Sequence, residues 1–473
     1  MKRLLLLLFV VGVALTTTSC KTSFEKSVDI VIDDGIIDEE EAKTIMSEKP
    51  TEMTSEELVN FVMERCKKAG VDMKREDVEK ALKQKDPDSK REITVSIYLD
   101  NTSSMEGYYK SRDISRFTSI ISAINDYYAS QSSTKISAYY TQSDAKTKKT
   151  AITQVAFDEL QNKLTHNNMT FGDSYQLDEF FNHLVNRLQN SGETADGIAF
   201  FITDGIPSGT NDEIKNSIGR RYSISNKGVL ESRIADRIRP LANNGYSAAI
   251  YQFESNFTGD YYKYDNSKVR LNEKSRPFYV IAIGKNNLMD LFTSSVENGL
   301  QYFKPINSLV FDMPKESFTL CSDLQVLDNQ ASDEIKLQLP SEHSGQVEFQ
   351  IKRKALPHYL RDEETIKGNL LTIEMRGRPC PYRVTNNVIT FNAPIDDNVE
   401  YQRLHIKVRD IVPAWVELSN SDDDASMSAT QGAQDYLTFN FKCLVQGIKK
   451  GIYNSKGAEY WIDTTFKINT KVD

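Results

Sequence analysis

A short run of oxygen-bearing side chains follows an apolar segment early in the chain. The segment Ile93–Leu99 is typical of a buried β-strand. It is followed at alternate positions by Asp100, Thr102 and Ser104. Alternate residues can turn one carboxylate and two hydroxyl oxygens toward a single point, and Mg²⁺ prefers oxygen ligands in an octahedral arrangement. The spacing therefore predicts a site for a hard divalent cation that can still accept a carboxylate from a partner.

A second carboxylate follows another apolar segment about a hundred residues later. The segment Ile198–Thr203 ends in Asp204 and Gly205. Because the carboxyl ends of parallel strands meet at one edge of a doubly wound sheet, where ligands bind, Asp204 is expected near Asp100. An alternative interpretation is that the hydroxyl of Thr102 or Ser104 caps a helix.

The order of these motifs resembles the metal-ion-dependent adhesion site of von Willebrand factor A domains: DNTSSMEG comes first, then a loop containing threonine, then FITDG. The resemblance covers residues 91–305 and implies a Rossmann-like, doubly wound α/β domain. It implies that the metal ligands are Asp100, Thr102, Ser104, Thr170 and Asp204, with Ser174 as the alternative to Thr170. Thr102 replaces the usual serine and preserves the hydroxyl. The expected cofactor is Mg²⁺, or Mn²⁺ or Ca²⁺, and the expected partner is a protein offering an acidic side chain.

The flanking segments have a different pattern from the central one. Strand-like and helical segments alternate through residues 91–310, which predicts a mainly parallel sheet, with residues 254–276 as an insertion or long loop. Residues 20–90 are polar with helical periodicity and predict a short helical spacer. Residues 311–473 contain short alternating segments separated by turn residues, which predicts an all-β, sandwich-like domain.

The N-terminus has the pattern of an export signal. Lys2 and Arg3 precede the apolar run Leu4–Leu15, which is too short to span a bilayer as a helix. Small polar residues then lead to Cys20, a sequence that resembles the lipobox of bacterial lipoproteins. We therefore predict a signal peptide over residues 1–19 and lipidation of Cys20. The protein is expected in the bacterial cell envelope, on a periplasmic or surface face, anchored to a membrane by its lipid.

Charge and motif content favour a binding protein over an enzyme. The net charge of −9 argues against nucleic acid as a partner, because phosphate binding needs clustered Lys and Arg. One alternative is a metal-free structural scaffold of the envelope, and another is a metal-dependent phosphate-ester hydrolase. Against the hydrolase, the central segment offers only His166 and His183, and the chain lacks HExxH, P-loop and GxSxG motifs.

The cysteines of the mature chain have no CxxC spacing, so a zinc or redox site is not predicted. Export permits disulfides. The sequence leaves two alternatives for the C-terminal cysteines. Two of Cys321, Cys380 and Cys443 form a disulfide, or all three are free thiols.

Overall fold

The computed structural model describes positions 24, 28, 29, 32, 37, 41, 42, 45 and 53 and most of residues 55–469. Within the latter range the gaps are 72, 84–91, 112–113, 132, 145, 148, 167, 191–194, 207–226, 264–266, 315–317, 319, 323–333, 337–344, 386–387, 397, 423–436 and 455–458. The predicted signal peptide and Cys20 lie outside the described residues. The chain divides into two compact units, Met1–Arg91 and Glu92–Asp473.

The first unit contains two helices, α1 (Ser55–Ala69) and α2 (Arg75–Lys83). Glutamates in the first turn and lysines in the last turn of α1 both interact favourably with the helix dipole. Gly70 follows α1 with φ +74°, the left-handed conformation in which helices commonly end. Phe61 of α1 stacks on Phe24 at 5.3 Å between ring centroids, within an apolar core of this unit's own.

The second unit is built around a seven-stranded sheet. Its strands along the chain are β1 (Glu92–Asp100), β2 (Thr134–Ser143), β3 (Thr150–Val155), β4 (Ala195–Thr203), β5 (Tyr246–Tyr262), β6 (Lys268–Lys285) and β7 (Asn307–Phe311). Its helices are α3 (Glu106–Tyr109), α4 (Ile114–Ala129), α5 (Phe157–Thr165), α6 (Leu177–Asn190), α7 (Lys227–Ile238) and α8 (Asn286–Glu297). The α/β class is therefore confirmed. The spatial order of the strands is β3-β2-β1-β4-β6-β5-β7.

The strand directions differ from the predicted, mainly parallel sheet. β1 is parallel to β2 and to β4. The other neighbours, β2–β3, β4–β6, β5–β6 and β5–β7, are antiparallel. Of the two alternatives predicted for residues 254–276, an insertion or a long loop, the long loop was wrong, because most of this segment belongs to β5 and β6. These two strands form one long hairpin, and a hairpin turn reverses the chain, whereas a parallel pair needs a crossover connection.

The rest of the second unit contains two smaller sheets. One has the order β13-β14-β10-β8 and the other β12-β11-β15-β18-β9. Their strands are β8 (Leu320–Ser322), β9 (Glu334–Lys336), β10 (Gln346–Lys352), β11 (Leu371–Met375), β12 (Arg378–Pro379), β13 (Tyr382–Val384), β14 (Val388–Pro394), β15 (Tyr401–Arg409) and β18 (Tyr460–Asn469). Buried residues on alternate positions, such as Phe349 and Ile351 of β10 and Leu404 and Ile406 of β15, belong to a single apolar cluster.

The alternating segments had predicted an all-β region. The structure differs, because this region also contains helices. Besides a one-turn helix, Glu363–Thr365, it contains α9 (Ala414–Ser419) and α10 (Phe441–Tyr453). The short strand Thr438–Phe439 (β17) pairs with Asn420–Ser421 (β16), and α10 follows at once. One face of α10 is buried against α7 of the central sheet layer, and tertiary packing of that face stabilises the helix.

None of the helices within the described residues is long and apolar enough to cross a membrane. Cys66 and Cys380 are buried free thiols, so a disulfide that includes Cys380 is not formed.

Candidate metal site

Asp100 stands at the end of β1 and is almost completely buried, with 3% of its surface exposed. One carboxylate oxygen, Oδ1, accepts hydrogen bonds from the hydroxyl of Thr102 at 2.7 Å and from its N–H at 3.2 Å. The other oxygen, Oδ2, accepts from the hydroxyls of Thr203 at 2.8 Å and Tyr175 at 3.2 Å. The parallel register of β1 and β4, in which Leu99 faces Ile202, brings Thr203 to Asp100.

The hydroxyls of Thr102 and Ser104 continue this cluster. Their oxygens lie 3.0 Å apart, and the Ser104 hydroxyl favours the ionised form of the Asp204 carboxylate. The alternative interpretation of these residues as a helix cap was wrong: α3 begins after Met105, and no side chain caps it. Asp100, Thr102 and Ser104 are thus joined by hydrogen bonds, and Asp204 completes this cluster of oxygens at the adjoining ends of β1 and β4.

Asp204 and Gly205 form a tight turn after β4. The Asp204 carboxylate accepts the N–H of Ile206 at 3.0 Å, and the side chain is 2% exposed. Gly205 has φ +71°, and a Cβ at this position would lie 2.8 Å from the Tyr279 ring. The residue after Asp204 is therefore a glycine for two reasons, backbone conformation and space.

The loop that contains Thr170 is attached to the first motif by its backbone. Gly172 forms an isolated parallel bridge with Thr102, its N–H donates to the Asn101 carbonyl at 2.8 Å, and its carbonyl accepts from the N–H of Ser103 at 3.0 Å. The Asn101 side-chain amide donates to the Thr170 carbonyl at 2.8 Å. Thr170 therefore borders the motif, but it does so through its carbonyl, and the residue is exposed.

The alternative ligand, Ser174, is held at the end of β2, where its carbonyl accepts a hydrogen bond from the hydroxyl of Ser143. The next residue, Tyr175, reaches Asp100 instead. His166 is exposed at the end of α5, and its Nδ1 lies 2.9 Å from the Asn162 carbonyl.

The two carboxylates share a buried, low-dielectric position. Burial, and then the nearby Asp204 carboxylate, raise the pKa of Asp100 to about 7, against the hydrogen bonds from Thr102 and Thr203. Burial also raises the pKa of Asp204, while hydrogen bonds from Ile206 and Ser104 and the charge of Arg276 oppose that rise. Without a cation, the pair is therefore expected to hold a proton near neutral pH.

The oxygens present suit a small, hard cation. Adjacent ligands of an octahedral Mg²⁺ lie about 2.9 Å apart, as follows from bond lengths near 2.1 Å. The 2.7 Å from Asp100 Oδ1 to Thr102 Oγ1 and the 3.0 Å from there to Ser104 Oγ are close to that value. Ordinary hydrogen bonds have the same oxygen–oxygen distances, so this geometry is compatible with a site that holds a cation and with a site that holds none. In the part of the chain that the structure describes, no three His, Cys, Asp or Glu side chains come together in a group that could hold a metal ion. A cation at the present site would therefore need the hydroxyl oxygens as ligands besides the two carboxylates.

Two buried oxygens beside the cluster support a polar occupant. Asn101 Oδ1 and the Tyr109 hydroxyl are buried and have no hydrogen-bond partner among the described residues. The ionisation of Tyr109 is influenced by Asp100 and Asp204, which places it near both carboxylates. An unsatisfied buried polar atom costs about 1–3 kcal/mol, and the hydration shell of a bound cation would offset that cost.

Several residues at the site were not predicted from the sequence. Thr203 and Tyr175 contact Asp100 directly, and Arg276 reaches the site from β6. Thr203 lies next to Asp204 in the sequence, so pairing of β4 beside β1 would have indicated it. Tyr175 and Arg276 carry no comparable signal, because their approach depends on the path of a loop and of the hairpin.

Comparison of the chain with family models, with curated proteins and with solved structures gave no significant match.

Proposed function

We propose that this chain is a membrane-anchored binding protein that uses the site at the ends of β1 and β4 to engage an acidic group of a protein partner through a divalent cation. The observation that supports the proposal best is the continuous cluster of Asp100, Thr102, Ser104 and Asp204. Mg²⁺ is the proposed ion, because all the ligands are oxygens and two are uncharged hydroxyls. Neutral ligands leave the ion electron-poor, so that a partner's carboxylate can complete its coordination.

The proposal also specifies the domain family and the cellular location of the protein. The parallel β2-β1-β4 core, with the cluster at its carboxyl edge, is compatible with a von Willebrand factor A-like domain over residues 91–310. The remaining divisions are a signal peptide over 1–19, a spacer over 20–90 and a C-terminal domain over 311–473. Lipidation of Cys20 would anchor the protein in the cell envelope.

A second candidate function is a metal-free structural scaffold. The Thr102 hydroxyl already hydrogen-bonds to Asp100 and lies 3.0 Å from the Ser104 hydroxyl, and Thr170 is exposed. A protonated Asp100 would let this network persist with no ion at all. This candidate predicts the same fold and no cation affinity.

Calorimetric titration of Mg²⁺ and Mn²⁺ into the full chain, kept in mild detergent, tests the proposal. We expect saturable binding at one site, lost when Asp100→Ala and Ser104→Ala are combined. Ser103→Ala is the matched control, because this hydroxyl lies between the two proposed ligands but donates to the Gly172 carbonyl. No affinity in the parent chain would favour the scaffold. Full affinity retained in the double variant would mean that the cation binds elsewhere, which contradicts the proposed site.

A further inference from the structure

A fully buried arginine lies on β6, beyond the point where that strand pairs with the end of β4. Arg276 of β6 is only 1% exposed. Its guanidinium carbon lies 4.6 Å from the ring centroid of Tyr261 and 5.7 Å from that of Phe257. Its Nη2 donates to the Leu437 carbonyl at 3.3 Å, and its charge interacts with the Tyr108 side chain in α3. These contacts hold a permanent positive charge in a fixed position, since the guanidinium does not lose its proton in proteins.

This charge acts on the proposed ligands. Arg276 interacts electrostatically with Asp204 and favours the ionised form of that carboxylate. In a buried site such interactions are several times stronger than between solvent-exposed groups. The guanidinium therefore has opposite effects on two kinds of ligand: it repels a divalent cation and attracts an anion.

We infer that Arg276 is a specificity-determining residue, whose charge weakens the binding of the cation alone and makes the loaded site favour an anionic, carboxylate-bearing ligand. This inference rests on the proposed function. It implies positive coupling, in which cation and carboxylate each bind more tightly in the presence of the other. The arginine acts through the electric field at the site, because its burial keeps it from touching the partner.

The hairpin of β5 and β6 explains how the charge reaches the site. β6 pairs with β4 only as far as the Thr203–Tyr279 pair, and its residues before Tyr279 continue past the end of β4. Tyr108 of α3 donates to the carbonyl of Pro277, the residue after Arg276, at 2.6 Å. The same helix follows the Asp100 motif, so the hairpin and the motif are fixed to each other.

Neutralising the arginine tests the inference. Mg²⁺ is titrated into the full chain in chloride buffer and, at equal ionic strength, in buffer containing acetate as the carboxylate probe. We expect Arg276→Gln to bind Mg²⁺ alone about tenfold more tightly than the parent chain, and acetate to increase the affinity less in the variant. General damage to the site would weaken binding, which is the opposite direction.

Two further variants separate charge from packing. Arg276→Lys keeps the charge and should bind Mg²⁺ within about twofold of the parent chain, even though it loses the planar guanidinium. Arg270→Gln is the matched control on the same strand, where the arginine is exposed and lies 3.4 Å from Asp260, and it should leave both titrations unchanged. If Arg276→Gln does not fold, the test is made with Arg276→Lys. A tenfold change in the Mg²⁺ affinity of that variant would mean that the packing of the side chain, and not its charge, controls binding.

The outcomes distinguish this inference from the proposed function. A parent chain that binds no Mg²⁺ would overturn both. A parent chain that binds Mg²⁺, together with a folded Arg276→Gln variant of equal or lower affinity, would overturn only the role given to Arg276. Acetate that tightens Mg²⁺ binding equally in both chains would also overturn that role.

Discussion

At the residue scale, the most costly feature of the site is the burial of two neighbouring carboxylates. Asp100 and Asp204 are 3% and 2% exposed, and each raises the cost of ionising the other. Residues with strongly perturbed pKa values cluster at functional sites, because a purely structural role is served more cheaply by neutral side chains. The cation we propose would remove this repulsion on binding.

Asp100→Asn should remove the pH dependence of stability that this carboxylate causes. The pKa of Asp100 is raised to about 7 in the folded state, above its unfolded value near 4, so its contribution to stability is lost as the pH rises from about 4 to about 7. We therefore expect the metal-free variant to gain stability relative to the parent chain between pH 5 and pH 8, by roughly 1–3 kcal/mol. Urea denaturation in the presence of a chelator measures the difference.

Mg²⁺ provides the matching control for this prediction. At pH 8 the ion should stabilise the parent chain and Ser103→Ala, and should have little effect on Asp100→Asn, because only a bound ligand shifts the folding equilibrium. A constant stability difference between variant and parent chain across pH 5–8 would contradict the raised pKa.

At the element scale, the long hairpin of β5 and β6 is the part that completes the site. Its residues pack on α3, where a Cβ on Gly107 would lie 2.3 Å from the ring of Phe257 and a Cβ on Gly259 would lie 2.5 Å from the Cα of Gly107. This close approach of two backbones is possible only without side chains. The Tyr108 ring contacts the Phe257 ring edge-on, at 4.8 Å between centroids, and adds to the same contact.

Gly107→Ala should therefore disrupt the contact between hairpin and motif. The added methyl group must displace the Phe257 ring, and we expect a loss of about 1–3 kcal/mol in the free energy of unfolding, with weaker Mg²⁺ binding. The control is Gly228→Ala in α7, where a Cβ meets no atom within 4 Å and alanine favours the helix. Chemical denaturation that finds the two variants equally stable would argue against the close packing.

At the scale of the whole molecule, the central sheet and the C-terminal sheets share one apolar cluster. It includes Leu309 and Phe311 of the seven-stranded sheet together with buried residues of both smaller sheets. Helices α7 and α10 connect the same regions: a Cβ on Gly447 would lie 2.7 Å from Ile234, and one on Gly451 would lie 2.6 Å from Ile238. The second unit should therefore unfold cooperatively.

Gly447→Ala combined with Gly451→Ala should weaken this connection. Two methyl groups pressed against α7 must push the helices apart, and we expect a loss of about 2–5 kcal/mol from two overpacked positions. The two tryptophans, Trp415 and Trp461, report on the C-terminal region, while far-ultraviolet circular dichroism reports on all elements. The control is Gly368→Ala, where a Cβ meets no atom within 4 Å.

The two signals should give the same denaturation midpoint in the parent chain and in the control. Separate midpoints in the parent chain would mean that the central and C-terminal regions unfold independently, contrary to this prediction. Separate midpoints only in the double variant would show that the helix contact is what couples them.

The sequence by itself determined the local elements and the first half of the site. The sequence indicates the helix Ile114–Ala129, because its apolar residues recur at helical spacing. Asp100 and Asp204 could be placed at strand ends, because apolar segments of strand length precede both. The contact of Thr102 with Asp100 also follows from sequence, since it joins residues two apart.

Only the tertiary structure decided the direction of β6, the helix α10 and the position of Arg276. Residues 254–276 are rich in polar side chains, and nothing local distinguishes a loop from a hairpin whose partner strand and supporting helix lie far along the chain. Helix α10 is stabilised by burial against α7, a contact between segments some two hundred residues apart. A local sequence pattern indicates which side of a segment is exposed to water and how it contacts its near neighbours in the chain. The residues that determine the charge of this site, in contrast, come close to it only through packing between distant segments.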